Sequence, residues 1–137
     1  MFQSVNQQHI WAPPAGTVIR VSRGFYDHVA LLSDRQIHGE RGVLSFSSKS
    51  GGLVEESFSA FSAGRRVSVD GYLGSTPPAR VMQRARLKHD QAYSWTEFNC
   101  EHFVRYAHGV LIESPQLQKW AALGGILSVF GLVAMRP

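Results

Sequence analysis

The sequence predicts an α+β domain: an antiparallel sheet packed on a cysteine-bearing helix, followed by a hydrophobic helix at the carboxyl end. Three observations carry this. β-branched stretches recur, among them Thr17-Val18-Ile19-Arg20-Val21 and the alternating Arg66-Val67-Ser68-Val69-Asp70. From Cys100 the apolar residues fall at Cys100, Phe103, Val104, Ala107 and Leu111, the spacing of one helical face. From Trp120 through Met135, sixteen residues pass without a charge, bracketed by Lys119 and Arg136.

In chain order, residues 1–11 read as a polar amino-terminal arm. Met1 to Ile10 holds no basic segment followed by an apolar run, so no secretory signal is expected. Ala12-Pro13-Pro14-Ala15-Gly16 opens the domain predicted over residues 12–114, its prolines forbidding helix. Gly24 breaks the first strand. His28-Val29-Ala30-Leu31-Leu32 then reads as a second strand, Ser33-Asp34-Arg35 as a turn, and Gln36-Ile37-His38 as a short third strand ending at Gly39. A turn centred on Ser33 sets His28 opposite His38 and Ala30 opposite Gln36, with Val29, Leu31 and Ile37 on the other face. Two imidazoles with one small alanine beside them leave room for a substrate.

Val43-Leu44-Ser45-Phe46 reads as a strand and Ser47 to Gly52 as a serine and glycine loop. Val54 to Phe61 fits a short helix or a second hairpin arm, with Glu55 and Glu56 a solvated acidic pair. Pro77-Pro78 opens a helix to about His89, with Val81, Ala85 and Leu87 inward and Arg80, Arg84 and Lys88 on an exposed row. Asn99 is the favoured N-cap of the next helix, with Thr96 or Ser94 as alternatives. His102 and His108 read as helix-surface or packing residues.

A length of 137 residues, 44% hydrophobic and 18% charged, suits one domain with a sizeable core. The formal charge of +4 is too scattered for nucleic-acid binding and better suits an anionic membrane surface. One cysteine excludes an internal disulfide and a cysteine-based zinc site, and fits a reducing compartment. His9, His89, His102 and His108 have no metal-ligand spacing, so neither metal nor cofactor is expected. Crossing a bilayer takes about 20 apolar residues, so the run at 120–135 is marginal, and Gly124, Gly125 and Gly131 weaken it as an isolated helix. Residues 115–137 therefore read as a hydrophobic helix that anchors at a membrane or packs on the domain or a partner.

At a helix start, Cys100 meets unpaired amides and the positive end of the macrodipole, both of which favour a thiolate. Glu101 opposes that, since a nearby carboxylate raises a thiol pKa. A reactive Cys100 therefore needs a base; without one it is a packed, inert residue.

Arg23-Gly24-Phe25-Tyr26-Asp27-His28-Val29-Ala30-Leu31, Ile37-His38-Gly39, the Val-x-x-Arg-Ala-Arg helix at Val81 to Arg86, Tyr93, and Asn99-Cys100-Glu101-His102-Phe103-Val104 together resemble the lecithin:retinol acyltransferase (LRAT) family. The likeness extends to its HRAS-like suppressor phospholipase/acyltransferase branch and covers roughly residues 12–112. It implies a permuted papain-like fold in which the histidine strands precede the cysteine helix. It implies Cys100 as nucleophile, His28 as general base and His38 as the residue orienting His28. Tyr26, Ala30 and Asn99, next to these in the sequence or on the hairpin face, are the residues expected at the substrate. Where the family carries a glycine turn, this chain has Ser33-Asp34-Arg35.

The function expected is acyl transfer or hydrolysis on a lipid ester or amide through a thioester, with a cytoplasmic, membrane-associated location and membrane contact through residues 120–135. Two alternatives stand beside it: a cysteine peptidase or amidase acting on cell-wall or isopeptide bonds, and a non-enzymatic membrane-interaction protein.

Overall fold

The computed structural model describes residues 3–5 and 9–127. A six-stranded antiparallel sheet runs in the order β1-β6-β2-β3-β4-β5. Its strands are β1 (Gln3–Val5), β2 (Val18–Ser22), β3 (Asp27–Ile37), β4 (Glu40–Ser47), β5 (Gly52–Ser57) and β6 (Val67–Gly71). The helices are α1 (Phe58–Ser62), α2 (Pro78–Arg86), α3 (Cys100–His108) and α4 (Pro115–Leu127). The polar arm thus contributes an edge strand, β1 pairing with β6. Val54–Phe61 is both of its alternatives in succession, the end of β5 and then most of α1.

Strand alternation divides the core between the two sheet faces. Val29, Leu31, Leu44 and Phe46 pack on one side against Val81, Met82 and Ala85 of α2 and Phe103, Val104 and Ala107 of α3. Ile19, Val21, Ala30, Leu32 and Val43 pack on the other against Phe58 and Phe61 of α1. The same alternation sends the adjacent carboxylates of β5 to opposite faces. Glu55 reaches Arg86 (3.2 Å) and the buried Ser33 hydroxyl, while Glu56 accepts from Ser45 Oγ at 3.1 Å. They are not the solvated pair that their adjacency predicts.

The expected turn at Ser33-Asp34-Arg35 is absent. β3 runs on through it, and the hairpin closes at His38-Gly39, where φ is 53° and 78°. Positive φ at both central residues is what a two-residue hairpin loop of matching twist requires. The polar triplet forms an irregularity instead, a register shift between Leu32 and Gln36. Arg41 braces it from β4, its guanidinium donating to Ser33 O (2.7 Å), Ile10 O (3.0 Å) and Pro13 O (3.0 Å).

Two helix ends also differ from the periodicity. α2 gives way to a 3-10 turn at Leu87–Asp90, leaving Leu87 exposed rather than inward. α3 stops at Gly109, which takes the left-handed conformation, so Leu111 is exposed too. Arg84 and Lys88 are not a solvated row: Arg84 donates to Tyr106 O, and both cations lie over the Tyr106 ring at 4.4 and 4.3 Å. Among the described residues, no helix is long and apolar enough to cross a membrane. Residues 128–135 of the predicted anchor lie outside the described residues.

Candidate active site

α3 begins at Cys100 because Asn99 caps it. Asn99 Oδ1 accepts from the amides of Glu101 (2.9 Å) and His102 (3.2 Å), and His102 Nδ1 accepts from Asn99 N at 2.9 Å, a reciprocal capping box. The Asn99 amide nitrogen donates to Trp95 O and Ser114 Oγ. Asn99 lines the cysteine pocket, yet its polar atoms are spent inside the fold. It acts as the cap of α3. His102 is correspondingly a buried cap residue, and His108 is buried with Nε2 2.7 Å from Gly16 O.

The cap sets the Cys100 sulfur against the edge of β3, 4.0 Å from Asp27 O and beside the Val29 N–H. Pairing with β4 begins only at Ala30, so this stretch of β3 has an open edge. Burial pushes the Cys100 pKa up to about 11; neighbouring Glu101 adds to the rise, while the amides of Val29 and Cys100 and the Arg20 charge oppose it. The pocket at the thiol, lined by Tyr26, Tyr93, Trp95 and Gln116 among others, holds about 10 Å³. A single water needs roughly 10–15 Å³ on such a measure, so the sulfur is closed off.

His28 lies on β3 opposite Val21, between the two backbone groups that touch the sulfur. Its ring turns to the α1 face and sits 5.4 Å from the Phe61 ring. Burial, helped by the Arg23 charge, lowers its pKa to about 4, so the imidazole is neutral at pH 7. Arg23 is itself held there by donating to Phe61 O at 2.7 Å. Among the described residues no hydrogen bond joins the His28 ring to the Cys100 thiol. The ring borders a polar cleft of about 580 Å³ that it shares with Arg23, Tyr26, Lys49 and Glu56. The Glu56–Ser45 pair beneath was missed at the sequence level; the signal available was the strand alternation that turns Glu56 away from Glu55.

The remaining expected residues fall as follows. Tyr26 borders both the thiol pocket and the polar cleft. Ala30 is fully buried under α1 and pairs with Ser45, not Gln36, so it offers no surface to a substrate. His38 stands exposed at the hairpin tip. Nine residues of β3 separate it from His28, about 30 Å at roughly 3.3 Å per residue, which sets it too far away to orient that ring.

Residues 12–110, which carry β2 to α3, match the family model for lecithin retinol acyltransferase. The chain belongs to the lecithin retinol acyltransferase family. Membership suggests acyltransferase- or hydrolase-type activity for this LRAT-type domain. No curated protein matches the sequence.

Proposed function

We propose that this LRAT-family protein transfers or hydrolyses the acyl group of a lipid ester or amide through a thioester on Cys100, with His28 as the base. The observation that carries the reading is the sulfur's seat on the open edge of β3, 4.0 Å from the carbonyl of Asp27, the residue before His28. In the permuted papain-like arrangement that this implies, the thiolate attacks the acyl carbon and the leaving group departs with a proton from the imidazolium. Water or a second hydroxyl or amine then releases the acyl group. Asn99 Oδ1 takes the amides of Glu101 and His102, which leaves the N–H groups of Cys100 and Val29 as the donors nearest a developing oxyanion.

The resting pair is thiol and neutral imidazole. Burial holds the Cys100 pKa at about 11 and that of His28 at about 4, so both groups rest uncharged. Catalysis therefore needs the His28 ring to swing off Phe61 toward the sulfur when substrate enters. An apolar cleft of about 290 Å³ bounded by Phe25, Tyr26, Tyr93 and Trp95 adjoins the thiol pocket and suits an acyl chain. A membrane surface reached through residues 120–135 is the proposed source of that chain.

The test is fatty-acid release from phosphatidylcholine vesicles, with mass spectrometry of the intact protein. An acyl mass increment on the wild type, absent from Cys100→Ala, is expected. Cys100→Ala should abolish release and His28→Ala should lower it at least a hundredfold. Undiminished release by Cys100→Ala overturns the proposal.

A further inference from the structure

The thiol is shut in by the start of α4. Gln116 fills the open edge of β3 as a missing strand would: its Oε1 accepts from Asp27 N and its Nε2 donates to Asp27 O, both at 2.8 Å. Glu101, next to the nucleophile, holds the same segment by accepting from Ser114 Oγ and from Gln116 N (3.0 Å). Cys100 is left 4% exposed behind this strap. With Gln116, Tyr26, Tyr93 and Trp95 in place, the space at the sulfur is about 10 Å³, too small for a substrate carbonyl.

The outer side of the strap has a different chemistry. One helical turn after Gln116, Trp120 meets Phe25 at 5.8 Å and Trp95 at 6.2 Å, ring edge to ring face, and Tyr26 continues the row. This aromatic face is open to solvent: Phe25 is 69% exposed, Leu123 57%, Trp120 42% and Trp95 39%. Exposed Lys119 adjoins Trp120, and Lys49 and Arg23 border the neighbouring cleft, in a chain of formal charge +4. The uncharged run that starts at Trp120 continues in sequence to Met135. Tryptophan and phenylalanine flanked by lysine, leading into an apolar segment, is the composition that seats at the headgroup level of a bilayer.

We propose that the face formed by Phe25, Trp95, Trp120 and Leu123 docks on an anionic lipid surface, and that docking draws the Ser114–Trp120 strap off Cys100. The inference rests on the acyl-transfer reading and adds to it the event that opens the site. A lipid surface shifts such an equilibrium only if it binds the open form better. Here it does, because lifting the strap frees the part of each ring by which Trp120 and Phe25 now meet edge to face.

As Cys100 is the chain's one cysteine, iodoacetamide labelling of the full-length protein, followed by mass at fixed pH, reads the strap directly. Mixed phosphatidylcholine–phosphatidylserine vesicles should accelerate labelling at least tenfold, and the paired change Phe25→Ser with Trp120→Ser should reduce that gain below twofold. Gln116→Ala, or the isosteric Gln116→Glu should the first fail to fold, should label at least fivefold faster in plain buffer. A labelling rate indifferent to vesicles overturns the proposal. So does a rate that follows protein concentration instead, which would mark the face as a contact between copies of the chain. Labelling requires no turnover, so a failure of the acyl-transfer reading shows separately, as fatty-acid release retained by Cys100→Ala.

Discussion

At the scale of single residues, Cys100 and His28 are each pushed by burial toward the uncharged form, and that has consequences on both sides of neutrality. Only the thiolate alkylates, so labelling of Cys100 should climb about tenfold per pH unit past pH 9 without the plateau of a free thiol near 8.5–9. For His28 the folded pKa of about 4 lies below the ordinary 6.5, so between these values the unfolded chain holds more protons. The stability from its burial is therefore complete above pH 6.5 and drains away as pH falls toward 4, by about 3 kcal/mol. His28→Gln should remove that part of the slope in urea unfolding compared at pH 7 and pH 4.5. His102 and His108 are depressed by burial too and keep the rest. His38, out at the hairpin tip, behaves differently: His38→Asn should leave fatty-acid release within twofold of wild type, and a larger loss would return it to the site. The sequence singles out Cys100 and His28 through neighbouring motif residues but sets His38 opposite His28, where the structure has Val21, because the side chain opposite a strand residue depends on where the chain turns.

Among the elements, α3 was the most legible, since cap, first turn and apolar face are local and follow one another directly. Asn99→Ala removes the cap and should cost about 1–2 kcal/mol, measured as a lower denaturant midpoint. The β3–β4 hairpin was the least legible. Ser33-Asp34-Arg35 has turn-forming side chains, but each finds a partner while β3 runs on through them: Ser33 with Glu55, Asp34 with Arg86, Arg35 with Glu55. Those partners come from β5 and α2, beyond any local window. The irregularity also needs Gly42 opposite it, where a Cβ would come within 2.8 Å of Arg35 O and 3.1 Å of Ile37. Gly42→Ala should accordingly destabilise by about 1–3 kcal/mol, read from the same unfolding midpoint. Leu87 and Leu111 keep the helical period but fall beyond the true helix ends, which a 3-10 turn and a left-handed glycine decide.

For the molecule as a whole, one sheet separates two chemistries. The face under α2 and α3 builds the cysteine helix into the core, while the face under α1 carries His28 and the polar cleft, and Cys100 sits at the open edge of β3 between them. That division was implicit in strand alternation, but the carboxyl-terminal segment was not so readable. Its lack of charge left a membrane anchor and a helix packed on the domain equally open, and its first residues close over the Cys100 thiol through polar contacts made by Ser114 and Gln116. The glutamine on Asp27 also suggests a chemical handle. A primary carboxamide is what that backbone pair already holds, so a chloroacetyl compound bearing one should displace the side chain and arrive with its electrophilic carbon near the thiol. It should inactivate the protein faster than its methyl-ester counterpart, and equal rates for the two would show that the amide is not recognised.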